Sequence, residues 1–195
     1  MLRKIICVIF LMFCTICFTF CIKGYSLYNQ NVINDNIDLI YKEISSGNQF
    51  VSFNEIDDEF INALLSSEDK RFYSHPGVDL KSIIRALITN LKYLDYKEGG
   101  STITQQLAKN LYFTSEKKIE RKVAELYVVY QLENNYTKDQ ILEMYLNIIY
   151  FGEGKYGLSD AVTYYFQEDP IDLSQVQINA LVKTIKCPTY CNPNY

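Results

Sequence analysis

The stretch Leu80-Lys-Ser-Ile-Ile-Arg-Ala-Leu-Ile-Thr-Asn-Leu-Lys-Tyr-Leu94 decides the fold class. Leu80, Ile84, Leu87, Leu91 and Leu94 recur at steps of three or four, the spacing that lines one face of a helix, and this spacing predicts a face buried in the core. Working outward, Gly99-Gly100 marks a turn before a helix that begins around Thr102. Ser115 reads as the cap of a helix from Glu116 to about Asn134. Thr137 with Gln140, and Ser174 with Gln177, have capping-box spacing ahead of apolar runs, and Pro188 stops the last helix. Gly152, Gly154 and Gly157 mark an irregular turn. With no internal repeat and no strand alternation, the expected architecture is mainly α, with a folded domain over 53–195. Residues 25–52 are polar and Asn-rich and read as a spacer with room for one short helix or strand.

The N-terminal 24 residues set the compartment. Ile5 to Ile22 is 18 residues with two threonines and no charge, behind Arg3 and Lys4. That length crosses a bilayer. A cleaved signal peptide has a shorter apolar core and a small-residue cleavage site, which Phe20-Cys21-Ile22-Lys23 does not offer. The expectation is one transmembrane anchor with Arg3 and Lys4 in the cytoplasm and everything after Lys23 outside. Four of the six cysteines lie in this segment and act as small apolar residues. For Cys187 and Cys191 the spacing leaves both a disulfide and two free thiols open. Without Arg3, Lys4 and Lys23, 16 of the 19 basic groups face all 23 acidic ones, a net charge of −7. Nucleic acid is therefore not an expected partner, and an anionic substrate needs a local basic cluster.

Three segments concentrate chemistry. Glu68-Asp-Lys-Arg-Phe-Tyr-Ser-His75 places two acids, two bases and the one histidine at a predicted helix end, just before Pro76-Gly77. A carboxylate on a rigid element beside an opening suits a general base, although solvated charges at a helix end are the plainer account. Glu98-Gly-Gly-Ser-Thr-Ile-Thr-Gln-Gln-Leu-Ala-Lys-Asn110 feeds a Gly-rich turn into a helix start rich in hydroxyls and amides, a place that binds anions or is simply well capped. Lys117, Arg121 and Glu125 fall at steps of four on one helix face. Spacing alone favours an intrahelical ion pair, and a cation strip for a diphosphate is the functional alternative.

The order and wording of these segments resemble the motifs of the family 51 peptidoglycan glycosyltransferases, seen as monofunctional transglycosylases or as the transglycosylase domain of class A penicillin-binding proteins. Glu68-Asp69 with Phe72 and His75 comes first. Gly100 to Gln106 with Lys109-Asn110 follows, then Arg121-Lys122 with Glu125, then Tyr145-Leu-Asn147 with Tyr150 and Gly152.

The resemblance implies a lysozyme-like, two-lobed helical domain that polymerises lipid II into glycan strands with inversion, releasing polyprenyl diphosphate at the outer face of the bacterial cytoplasmic membrane. Carried over, Glu68 is the base and Glu125 the second catalytic carboxylate near the diphosphate. Lys109, Lys117 and Arg121 neutralise the diphosphate, Ser101, Thr102 and Gln106 bind sugar or phosphate, and Asp69 supports Glu68. His75 becomes an orienting residue. No cofactor is required, with room for a divalent cation such as magnesium near Glu125. The partners implied are lipid II, the growing strand, the membrane and other cell-wall synthesis proteins. The family also has an apolar element that meets the bilayer, for which Tyr93, Leu94 and Tyr96 are the candidates here. Two departures stand out: the turn Lys186-Cys-Pro-Thr-Tyr-Cys191, and a chain that stops at Tyr195 short of the family's closing helix, as in a short single-function enzyme or a piece of a longer one. A lytic glycosidase of related fold, or an inactive scaffold, are the alternatives. The diphosphate-type cation set speaks against the first and the presence of both Glu68 and Glu125 against the second.

Overall fold

In the computed structural model, residues 1–32, 37–114, 116 and 118–194 are described. Ser115, Lys117 and Tyr195 lie outside the described residues, so the Ser115 cap and the Lys117 site have no structural account. Among the described residues the protein is mainly α: nine helices, no strand, and one isolated bridge between Tyr150 and Tyr156.

Local capping sets most boundaries. Thr102, Thr137 and Ser174 each close a capping box, starting α5 (Ile103–Tyr112), α7 (Lys138–Ile148) and α9 (Gln175–Lys186). Asp57 starts α3 (Asp58–Glu68), and Asp79, by accepting from the Lys81 and Ser82 amides, starts α4 (Leu80–Tyr93). Each such cap is worth ~1 kcal/mol. The helix expected from Glu116 begins three residues later, as α6 (Ile119–Asn135). The glycine turn leads into α8 (Leu158–Phe166), and Gly152, Gly154 and Gly157 all hold positive φ. At Gly152 a Cβ would come within 2.4 Å of the Pro188 carbonyl oxygen, so this turn packs directly beneath the segment after α9.

The middle of the fold is α7, where Ile141, Leu142, Met144, Tyr145 and Leu146 are all buried. A helix apolar on several sides belongs inside. It touches α5, α6 and α8, while α3 lies against α9. Phe60, Leu64, Phe72, Leu107, Val128 and Leu181 complete the core around it.

α1 (Leu2–Asn31) is one helix of 30 residues, long and apolar enough to cross a membrane. It continues past its apolar part and packs along α6: Gly24 sits so close that a Cβ would lie 2.5 Å from Val123, and Tyr25 and Tyr28 meet Tyr127. In the stretch 25–52 the end of α1 is followed by α2 (Ile37–Ser45), tied to α7 by the Tyr41 hydroxyl donating to Glu143 at 2.7 Å.

The apolar face of α4 corrects the reading from periodicity. Leu80, Ile84, Leu87 and Leu91 are not core residues: they stand 57–68% exposed, and Ala86 is the one buried residue of the helix. The spacing of three and four reports that a face is apolar, not what covers it. Tyr93, Leu94 and Tyr96 are exposed as well, so large apolar side chains continue from α4 into the loop after it.

Candidate active site

The end of α3 is tied to the start of α5 by one buried network. Asp69, the residue after the last turn of α3, accepts from the Ile103 amide at 3.0 Å and faces His75 Nε2 at 3.0 Å. The Gly77 amide donates to His75 Nδ1 at 3.1 Å, so the ring proton is on Nε2 and points at Asp69. The Thr102 hydroxyl donates to the Gly77 carbonyl at 2.6 Å and accepts from the Gln105 amide at 3.1 Å. Asp69 and Thr102 are thus buried with their oxygens engaged in joining α3 to α5, and Asp69 also borders a cleft of about 410 Å³ beside Glu68 and Lys186.

That network sets Glu68 against Gln106, one turn into α5. Gln106 Nε2 donates to Glu68 Oε2 at 3.0 Å, and the buried Tyr145 hydroxyl donates to Gln106 Oε1 at 3.0 Å. Burial first, and then the charge of Glu68, pushes the Tyr145 phenol well above its ordinary value, which keeps it a donor. The amide between them can therefore present only its NH2 to the carboxylate. Glu68 Oε1 is buried and has no hydrogen-bond partner among the described residues, with Lys186 Nζ 3.9 Å away.

A cleft of about 570 Å³ opens here, lined by Glu68, Gln106, Lys109, Lys186 and Ser101, with Arg85 and Glu98 paired at 3.1 Å on its wall. A second, of about 550 Å³, is lined by Lys118, Ile119, Arg121 and Lys122. The two share Tyr96, Ser101 and Lys109, so they form one groove with a carboxylate at one end and cations at the other.

At the cation end, Glu125 is wholly buried, with one oxygen on the Arg121 guanidinium and the other 2.7 Å from Lys122 Nζ. Lys122 also donates to the Ser101 hydroxyl at 3.1 Å, and Arg121 Nε donates to the Glu116 carbonyl at 2.5 Å. Burial, and then the neighbouring Arg121, holds the Lys109 ammonium below its ordinary value. Burial, with the charges of Arg121 and Lys109, pushes Lys122 down to about 8, although Glu125 acts in the opposite sense. One carboxylate among three cations leaves a net positive pocket that an anion would relieve.

The donor set here does not suit a resident divalent cation, because both Glu125 oxygens face cations and, among the described residues, no second carboxylate joins them. Asp69, His75 and Asp79 do come within 4.8 Å of one another. Their donor atoms are already used internally, Asp79 by Arg71 at 2.7 Å and by the start of α4. Of the residues singled out in the sequence, Glu68, Gln106, Ser101, Lys109 and Arg121 line one groove, and Glu125 lies buried behind Arg121. Tyr145 and Lys122, quoted from the sequence only as parts of motifs, and Lys186, quoted only in a departure from them, had no role assigned there. A helix-terminal lysine and a buried tyrosine carry no local signal of their own.

Comparison with known proteins agrees with this geometry. Residues 37–195 match the transglycosylase family model. Penicillin-binding protein 1F of Bacillus subtilis (strain 168) is 40% identical over 165 residues, covering 85% of this chain and 23% of that protein. Penicillin-binding protein 4 of the same organism is 38% identical over 175 residues, covering 88% and 28%. Penicillin-binding protein 1A of Aquifex aeolicus (strain VF5) is 41% identical over 146 residues, covering 75% and 20%. The chain therefore spans between a fifth and just over a quarter of the length of these relatives. A buried carboxylate relayed to a buried tyrosine, a cation pocket across one groove and this match along most of the chain lead to one assignment: the chain belongs to the transglycosylase family.

Proposed function

We propose that the protein is a peptidoglycan glycosyltransferase that joins lipid II units into glycan strands, with inversion at the anomeric carbon and release of polyprenyl diphosphate. The single observation that carries this reading is the groove with Glu68 at one end and Lys109, Arg121 and Lys122 at the other. Glu68 Oε1, which has no hydrogen-bond partner among the described residues, takes the proton of the acceptor's 4-hydroxyl as that oxygen attacks the anomeric carbon. The bond to the diphosphate breaks on the far side, and the cations stabilise the charge that builds on the leaving oxygens. Glu125 holds Arg121 and Lys122 in place. A divalent cation such as magnesium is proposed only as the counter-ion of an arriving diphosphate. A neutral glycan being hydrolysed needs no such pocket, which favours synthesis over lysis.

The test is incubation of the full chain with lipid II in detergent or bilayers, followed by separation of glycan products. Long strands are expected, and a folded protein that makes none sinks the reading.

A pH dependence follows from Lys122. Its ammonium form predominates below about 8 and is lost as pH rises through that value, so affinity for farnesyl diphosphate is expected to fall on the alkaline side of about 8. Lys122→Arg, whose charge persists, should flatten the decline. Calorimetric titrations between pH 6.5 and 9.5 decide it, and a flat wild-type curve counts against Lys122 as a ligand.

The α4 patch is proposed as a bilayer contact, on the outer side that the charges Arg3 and Lys4 assign to the domain. The chain has no tryptophan, so Leu91→Trp supplies a single reporter. In bilayers its emission should shift to the blue and be quenched by brominated lipid tails. Emission of a water-exposed indole in both detergent-free and lipid-bound states would rule this contact out.

A further inference from the structure

Lys186 is the last residue of α9, and its side chain is half exposed at the cleft holding Glu68. Its Nζ lies 3.9 Å from Glu68 Oε1, too far for a hydrogen bond and close enough to share a ligand. An oxygen ~2.8 Å from both atoms subtends an angle of about 90° between them, within reach of the donor and acceptor directions of one hydroxyl. Among the described residues Glu68 Oε1 is also the oxygen of that carboxylate left without a hydrogen bond, while Oε2 is held by Gln106.

We propose that Lys186 is a further catalytic residue that binds the acceptor hydroxyl jointly with Glu68, and that the Cys187–Cys191 disulfide fixes it there. This rests on the glycosyltransferase reading above. The hydroxyl donates its proton to Glu68 Oε1 and accepts from the Lys186 ammonium. When the proton passes to Glu68, the oxygen gains negative character beside a fixed cation and uses its remaining lone pair to form the glycosidic bond. Lys186 keeps its own proton throughout, so the transfer balances as O–H broken, carboxyl O–H formed, C–O formed and diphosphate released.

Placement of the lysine is unusually well secured for a helix terminus. Cys187, its neighbour, is joined to Cys191, and the Cys191 amide donates back to the Cys187 carbonyl at 2.9 Å. The Thr184 hydroxyl reaches the Cys191 carbonyl at 3.2 Å, and the buried Asn192 side chain donates to the Pro188 carbonyl at 2.9 Å. Gly152 allows the turn below to touch Pro188. The covalent loop thus caps α9 immediately after Lys186 and limits the swing of its backbone.

The experiment measures lipid II as acceptor against a preformed lipid-linked tetrasaccharide donor, with farnesyl diphosphate binding measured separately. Lys186→Met is expected to lower kcat/KM for the acceptor by about 10- to 100-fold, the value of one charge-assisted hydrogen bond, with farnesyl diphosphate affinity and Tm unchanged. Lys186→Arg should recover part of the loss. The double variant Cys187→Ser with Cys191→Ser should raise the acceptor KM several-fold with the same donor affinity. Unchanged acceptor kinetics in Lys186→Met overturn the role of Lys186, and unchanged KM in the cysteine variant overturns the clamp. Absence of polymer from the wild type overturns the glycosyltransferase reading, and this one with it.

Discussion

Glu68→Gln is expected to lower the rate of strand formation by ~10²–10⁴-fold, the usual contribution of a positioned general base, without weakening the fold. The amide has the shape of the carboxylate, and its carbonyl oxygen can still accept from Gln106 Nε2, the bond now 3.0 Å long. What it cannot do is take a proton. Because Glu68 Oε1 is buried with no hydrogen-bond partner among the described residues, replacing a charged group by a neutral one there costs only the long contact to Lys186, and Tm should hold or rise. Glycan yield on a gel and Tm by calorimetry read the two halves separately. Full activity in this variant would leave polymerisation standing and move the base elsewhere.

Helix starts were legible because they are decided within four residues. Thr137 and Gln140, or Ser174 and Gln177, satisfy each other's backbone whatever surrounds them, and each box forms as spaced. Burial was not legible in the same way. Leu80 through Leu91 carry the same period as a core helix, and only the absence of a covering element in the fold distinguishes an exposed apolar face from a buried one. The packing of α1 on α6 is of the second kind too, since Gly24 looks like a boundary in the sequence and serves as a point of close approach in the structure.

The site divides along the same line. Glu68, Gln106, Lys109, Arg121 and Glu125 could be named because their segments arrive in a known order, and the groove gathers the first four from α3, α5 and α6, with Glu125 buried behind Arg121. Function could not be told from support by residue type. Asp69 and Thr102 look like ligands in a list of polar residues, yet their oxygens are used in joining α3 to α5, which is what brings Glu68 and Gln106 within a hydrogen bond. Tyr145 lies 39 positions from Gln106 in the chain and meets it only through the packing of α7 on α5.

Arg121→Met is expected to be the most destabilising single change at the site. Glu125 is fully buried and its charge is met by Arg121 and Lys122. Removing one partner of a buried pair typically costs ~3–5 kcal/mol, and here Lys122, 2.7 Å from the other Glu125 oxygen, stays behind to meet part of the charge, which puts the cost at the lower end of that range. In a chain of this size each kcal/mol moves Tm by ~2–4 °C, so a fall of roughly 10 °C should be seen. The loss of diphosphate binding in that variant would by itself be ambiguous, since a loosened site binds poorly. The paired variant Arg121→Met with Glu125→Leu separates the two effects. With Arg121 and Glu125 replaced by apolar side chains of similar volume, part of the stability should return, as it does when buried ion pairs are so replaced, while Lys122 loses its carboxylate and keeps its bond to the Ser101 hydroxyl. Binding should not return. Farnesyl diphosphate at 100 times its Kd stabilises the protein that binds it by ~2.7 kcal/mol, an effect expected for the wild type and absent from the paired variant. If the paired variant is restored in Tm and still gains the full stabilisation from farnesyl diphosphate, Arg121 is a structural residue and the diphosphate is held by Lys109 and Lys122 without it.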